Sequence, residues 1–479
     1  MNDYFTLMIP GAPQRAGVAT VTAPYDGTAI AEVETGDESH VETALTTAYG
    51  LFRNRDGWLG LAQRIAILES AAAIMAARHE ELSVEAAREG GKPLPDSRVE
   101  VSRAIDGMHL CIEALNTDQG HVIPMGMSAS SAERLAVTQK EPVGVVVAVS
   151  AFNHPLNLIV HQVAAGVAAG CPVIVKPADD TPLSCLRFVS ILHEAGLPPE
   201  WCQVLIASDI PVATKLVTDV RVGFFSFIGS ARVGWMLRSQ LAPGTRCALE
   251  HGGSAPAILA EDADLDLALH TILKGGFYHA GQVCVSVQRV YAQRAMAKDF
   301  ATRLAKAAGE LTIGDPTNAD TDVGPLIRHG EVTRVHEWVT EAIDAGAERL
   351  CGGEPLSDSC YACTVLLDPP EDAKVSALEI FGPIVCVYGY DTMDEAIERA
   401  NSLPVAFQAS VYTANLDTAL RAFKRLDASA VMVNDHAAFR IDGMPFAGLR
   451  QSGLGVGGIR YTIEDMQIEK MLVVSSPEL

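Results

Sequence analysis

Gly144-Val145-Val146-Val147-Ala148-Val149 is an unbroken apolar run, and it constrains the fold more than any other stretch. So short and apolar a strand must be covered on both faces, as in a parallel sheet with helices above and below. The following residues repeat that unit. Ser150 to Pro155 form a turn, 155–169 read as a helix ended by Gly170, and 172–176 are the next strand. Thr181 is placed to cap a helix with Pro182 at its first position, and 203–207 and 222–226 are further strands. This alternation is that of a doubly wound α/β sheet, which binds ligands at the carboxyl ends of its strands. Gly229 and Ser230 then open a helix, and their N–H groups at its positive end suit pyrophosphate, although a plain strand-to-helix turn looks the same. The fingerprint Gly-x-Gly-x-x-Gly follows none of these strands. Gly453-Leu454-Gly455-Val456-Gly457 has no suitable strand before it, and 448–458 read as a glycine-rich loop.

The flanks fit around this core. Residues 1–35 alternate polar and apolar positions between turn residues, as a small sheet does. From 38 to 88 the period is helical, and Leu61, Ile65, Leu68, Ala72 and Met75 share a face predicted to meet a core. Gly90-Gly91-Lys92-Pro93 stops that pattern, and 97–115 form another helix. Residues 118–141 are polar and carry Gly120, Pro124 and Gly126 before a β-like run at 134–139, so they read as an arm leaving the domain. Alternation resumes with strands at 254–259 and 287–291, an extended stretch at 379–387 and a strand at 430–434 expected to be buried. Helices are expected at 265–274, 295–310 and 331–345, and an edge strand at 469–475.

With 479 residues, 48% of them hydrophobic, the chain can fill more than one domain. Its 36 basic and 59 acidic residues give a net charge of −23, which repels phosphate backbones and argues against nucleic acid as a partner. Ten cysteines without framework spacing fit reduced thiols in a cytoplasmic protein. Cys360 and Cys363 form a lone C-x-x-C without the further ligands a zinc site needs, so no metal is expected. The first twenty residues lack a basic region followed by an apolar core, so no signal peptide is expected. The apolar run 158–175 is broken by His161, Gln162, Gly166, Gly170 and Pro172, so it reads as a buried helix and strand rather than a membrane span.

Chemistry concentrates at 275–289. Cys284 sits there between Val283 and Val285, after Gly275, Gly276 and Gly281. Desolvation raises a thiol pKa, so an inert core cysteine is one reading. Glu250 gives another: it ends the run 247–250 just before Gly252 and Gly253, and a carboxylate within reach of a thiol is a natural general base.

Taken in order, the motifs Ala151-Phe152-Asn153-His154-Pro155-Leu156, Lys176-Pro177-Ala178-Asp179, Phe227-Ile228-Gly229-Ser230, Leu249-Glu250-His251-Gly252-Gly253, Gly281-Gln282-Val283-Cys284 and Glu379-Ile380-Phe381-Gly382-Pro383 resemble those of the NAD(P)-dependent aldehyde dehydrogenase superfamily. Pro445-Phe446-Ala447-Gly448 and Ser452-Gly453-Leu454-Gly455 complete the set, and the resemblance covers essentially the whole chain. It implies a Rossmann-like cofactor domain (1–119 and 143–249), an α/β catalytic domain (250–458) and a small β oligomerisation element (120–142 and 459–479), in a homodimer or homotetramer. It implies Cys284 as nucleophile, Asn153 with the Cys284 N–H as oxyanion donors, and Glu250 as the base that activates water. It places Ser150, Phe152, Lys176, Asp179, Gly229, Ser230, Gly252, Glu379 and Phe381 around the cofactor. Asp179 near the adenosine 2′ position favours NAD over NADP, because a carboxylate accepts a hydroxyl and repels a phosphate. Four departures stand out: His251 where Leu is usual, Ser254 for Lys or Asn, His279 for Asn, and Val456-Gly457 for Arg-Glu.

Phe152-Asn153-His154-Pro155 and the stretch from Asn434 to Asp442 resemble the branch acting on lactaldehyde, glyceraldehyde and related short aldehydes, some with phosphonate, sulfonate or carboxylate ends. A small polar or anionic aldehyde is therefore expected, with Arg103, His154 and Arg440 as substrate residues. Arg103 on a solvent face and Arg440 in a structural ion pair with Asp442 are the competing readings. Two other activities use the same residue types: a CoA-acylating dehydrogenase, and a Cys-Glu thiol hydrolase without redox chemistry.

Overall fold

The computed structural model describes residues 3–118 and 120–479; Met1, Asn2 and Gln119, the last at the boundary expected at 119, lie outside the described residues. The first sheet has six strands in the order Gly453–Leu454, Arg246–Glu250, Val222–Ile228, Val145–Val149, Val173–Lys176, Cys202–Val204. All neighbours are parallel except Gly453–Leu454, which runs antiparallel to Arg246–Glu250. Val145 to Ala148 are wholly buried, as their composition predicts. Helices Leu61–Ala77, Leu94–Thr117 and Leu183–Glu194 cover one face, and Glu38–Arg53 and Ile210–Thr218 cover the other.

The second sheet has seven strands, in the order Glu348–Cys351, Thr364–Leu367, Ile384–Tyr390, Arg289–Gln293, Ala257–Leu259, Gln408–Tyr412, Ala430–Val433. Only its first pair is antiparallel. Strand Gln467–Ser475 pairs along its whole length with Arg134–Pro142, which also pairs with Val122–Ile123. Met471, Leu472, Val473 and Val474 on that ladder are exposed.

Several expectations change at this level. The helical stretch 38–88 divides into Glu38–Arg53, Leu61–Ala77 and His79–Gly90. Leu61 is exposed because it is the first residue of its helix, while Leu68, Ala72 and Met75 are buried. Thr181 caps nothing. Glu89, from a neighbouring helix, accepts the N–H groups of Leu183 and Ser184, both at 2.8 Å, so a distant carboxylate meets the positive end of helix Leu183–Glu194. The helix after Asn153 contains a π turn, Val160–Ala164. Ala430–Val433 is a half-exposed edge strand, not a buried one. The glycine-rich stretch contains a strand, Gly453–Leu454, and beyond it Ile459, Ile463 and Met466 are buried in the core of the first sheet. Among the described residues no helix is long and apolar enough to cross a membrane.

Candidate active site

Three loops meet at the site. One follows the carboxyl end of Val145–Val149 and carries Asn153; one follows Arg246–Glu250; one precedes Arg289–Gln293 and carries Cys284. Hydrogen bonds join them. Asn153 Nδ2 donates to the Gln282 carbonyl at 2.9 Å, and Gly253 N donates to the Cys284 carbonyl at 3.1 Å. Gln282 is itself fixed, donating to Pro325 O at 3.1 Å and accepting from Ile327 N at 2.9 Å. Gly252 is required by close approach: a Cβ there would collide with the Glu379 carboxylate. Asn153 is buried and keeps its second amide hydrogen, and the Cys284 N–H has no acceptor among the described residues. Two donors beside one thiol are the parts of an oxyanion site.

Cys284 packs with Val283, Val285, Phe407 and Phe446. Burial, with the Glu379 and Glu250 charges added, pushes its thiol up to about 12, and Arg440 pulls the other way. Burial also raises the Glu250 carboxyl, again opposed by Arg440. Glu250 lies over Gly457, where a Cβ would strike its carboxylate, and Gly457 and Phe446 exchange backbone hydrogen bonds at 2.7 and 2.9 Å. The Val456-Gly457 departure thus leaves room for the base.

Lys176 and Asp179, 2.5 Å apart, line a cavity of about 300 Å³ with Thr35, Ser208, Asp209 and Ile210. Gly229 and Ser230 precede helix Ala231–Arg238. His251 Nδ1 donates to the Gly229 carbonyl at 2.8 Å, and its ring packs edge-on to Phe227 and Trp235, so this departure supports the turn. Phe152 and Phe381 meet edge to face at 5.8 Å. Ser150 Oγ and Glu379 Oε1 are buried without partners among the described residues, which fits groups that await a ligand's hydroxyls or amide. Burial holds the Glu379 carboxyl at about 8.

The proposed substrate residues separate into distinct settings. His154 Nε2 meets the Tyr278 hydroxyl at 3.0 Å, and burial with the charge of Lys92 drives its pKa well down, so it is neutral. Arg103 is bidentate to Asp442, at 2.9 and 2.8 Å, so it is a paired, half-buried side chain rather than one left on a solvent face. Arg440 makes no ion pair among the described residues, which corrects the pairing with Asp442 considered from sequence. Its guanidinium lies over the Phe446 ring, 3.5 Å from the centroid, and its Nε is buried without a partner. Tyr278 was given no role from sequence, and Asp442 was considered only as a pairing partner for Arg440. Tyr278 adjoins the Cys284 motif, whereas nothing local marks Asp442.

Residues 12–472 match the aldehyde dehydrogenase family. The chain belongs to that family. It is an NAD(P)-dependent aldehyde dehydrogenase. It is 36% identical over 451 residues to a 3-sulfolactaldehyde dehydrogenase of Priestia aryabhattai, covering 94% of each chain. Aldehyde dehydrogenase 21 from Physcomitrella patens, in complex with the reaction product succinate, superposes with a TM-score of 0.94 at 32% identity, over 99% of each chain. Glyceraldehyde-3-phosphate dehydrogenase of Methanocaldococcus jannaschii, complexed with NADP, gives 0.91 at 31% identity, covering 97% of this enzyme and all of that chain (100%).

Proposed function

We propose that this enzyme oxidises a small aldehyde with an anionic end to the free carboxylic acid, using NAD in preference to NADP. The observation that carries the substrate class is Arg440, whose guanidinium has no ion pair and whose buried Nε has no hydrogen-bond partner among the described residues, and which is electrostatically coupled to Cys284 and Glu250. A partly buried cation without a counter-ion suits an anionic ligand. The sulfolactaldehyde enzyme and the succinate complex among its relatives point the same way.

In this reading the Cys284 thiol gives up its proton to solvent, and the resulting thiolate adds to the aldehyde carbon. The carbonyl oxygen becomes an oxyanion held by Asn153 Nδ2–H and the Cys284 N–H, donors that contribute roughly 3 to 4 kcal/mol elsewhere. Bound NAD supplies the hydride acceptor, and Cys284 is left as a thioester. Glu250 takes a proton from water, the water oxygen attacks the thioester carbon, and the acid leaves as the thiol is restored. A carboxyl raised by burial is the stronger base near neutral pH. Lys176 and Asp179 would hold the adenosine ribose, Gly229 and Ser230 the pyrophosphate, and Glu379 and Ser150 the nicotinamide end, with Gly252, Phe152 and Phe381 shaping its walls. Asp179 and Asp209 line one cavity against the single Lys176, whose charge Asp179 already offsets, so a 2′-phosphate is disfavoured.

The three-part domain division belongs to the same reading, as does a cytoplasmic homo-oligomer in which the exposed ladder of Gln467–Ser475 meets a second copy. Glu250→Gln tests the chemistry. A burst of NADH near one per site should remain, with steady turnover lowered by roughly 10²- to 10⁴-fold. Loss of the burst, or rescue of turnover by CoA, would sink water-mediated release.

A further inference from the structure

Asp442 is 3% exposed and receives four hydrogen bonds from two distant elements. Arg103 Nε and Nη2 donate at 2.9 and 2.8 Å from helix Leu94–Thr117. Asn157 Nδ2 at 3.0 Å and His161 Nε2 at 2.6 Å come from the helix that follows Asn153. His161 belongs to the π turn Val160–Ala164, a local widening that often marks functional positions in helices. Burial disfavours a carboxylate here, but the His161 bond and the charges of His161 and Arg103 outweigh it, so Asp442 stays ionised.

Its place explains the two arginines. Arg440 stands two residues earlier on the same loop, and the Arg103 charge opposes the Arg440 charge. Asp442 pairs with Arg103, offsets that repulsion, and holds the loop against the helix that begins behind Asn153. Arg103 Nη1 keeps no partner among the described residues, so each guanidinium retains free N–H groups.

We propose that Asp442 is a positioning residue for substrate selection: it fixes Arg103 and the loop bearing Arg440 so that their free N–H groups together receive the anionic end of the aldehyde. This rests on the anionic-substrate reading above. Asp442 touches no reacting atom and acts through the two arginines.

The test uses the full-length enzyme and Asp442→Asn, which keeps the shape and removes the charge. Succinic semialdehyde and butanal serve as anionic and neutral aldehydes, and succinate as an unreactive probe. The ratio of kcat/KM for succinic semialdehyde to that for butanal should fall about tenfold, mostly through KM, and succinate should bind about tenfold more weakly by calorimetry, the loss of one charged hydrogen bond. NAD affinity reports that the fold is intact. A ratio and succinate affinity unchanged in a variant that still binds NAD overturn the positioning role. Arg103→Ala and Arg440→Ala separate the two ideas. If they lower the ratio and Asp442→Asn does not, the positioning role alone fails; if none of the three lowers it, the anionic-substrate reading fails too. Should Asp442→Asn not fold, His161→Gln removes one donor to the same carboxylate and should lower the ratio in the same direction; an unchanged ratio there refutes the proposal.

Discussion

Arg440→Ala is the sharpest single perturbation of this site. The side chain rests on Phe446 and makes no ion pair among the described residues, so its removal leaves no orphaned carboxylate. A charge-assisted hydrogen bond contributes about 1.5 to 3 kcal/mol, and each 1.4 kcal/mol is tenfold, so affinity for an anionic aldehyde should fall by roughly 10- to 150-fold. Coulomb's law at about 4 Å and an effective dielectric constant near 20 gives about 4 kcal/mol as an upper bound. A second effect is shared by all substrates. Arg440 lowers the pKa of both Cys284 and Glu250, so its loss moves their titrations to higher pH and slows every aldehyde near neutrality. The quantity to read is therefore the ratio of kcat/KM for succinic semialdehyde to that for butanal, from pH 6 to pH 9. It should fall by roughly the factor above at every pH, and Arg440→Lys should lie between, because a point charge lacks the fork. Equal losses for both aldehydes across that range would refute the anion-binding role.

Other perturbations address separate parts. Cys284→Ser should lower turnover by at least about 10³-fold while the NAD dissociation constant stays near wild type; turnover above about 1% would remove Cys284 as nucleophile. Asp179→Ser releases Lys176 from its 2.5 Å partner and should raise the NADP-to-NAD ratio of kcat/KM by about tenfold; an unchanged ratio places selectivity elsewhere. Glu379 has a folded pKa of about 8, above its unfolded value of about 4.3. The folded state therefore binds more protons between those values, so this group's contribution to stability is lost as pH rises through that window. Without cofactor, Glu379→Gln should raise Tm relative to wild type at pH 9 more than at pH 5, and equal shifts would contradict a buried, protonated carboxyl.

Much of the fold was legible because the buried strands are apolar on both faces and the helices carry a 3.6-residue period. Val145–Val149, Val173–Lys176 and the helix ended by Gly170 follow directly from composition. What was hidden depends on partners far along the chain. Thr181-Pro182 has the chemistry of a cap, yet Glu89, 94 residues from Leu183, supplies it. Ala430–Val433 reads as buried from its apolar residues, but it is the last strand of its sheet and keeps an open edge. The site divides the same way. Cys284, Glu250 and Asn153 were marked by motifs that each span a few residues. Asp442 gathers donors that lie 281 to 339 residues away, and no local pattern marks such a convergence.

The net charge of −23 at first opposes an anionic substrate, and the resolution lies in range. Many basic side chains are spent on surface pairs, as Arg221 is with Glu42 and Asp219, so the exterior is acidic. Surface charge acts on an approaching ion through solvent, where salt screens its field beyond about 8 Å at physiological ionic strength. It slows encounter and does little once the aldehyde is between the loops. Arg440 acts in contact, beside Phe446 and away from bulk water, where the same charge is worth several times more. Asp442 allows Arg103 to stand near without repelling Arg440 out of place. An acidic enzyme can therefore select an anion, provided a cation at its site is shielded from bulk water and a carboxylate fixes where its neighbour points.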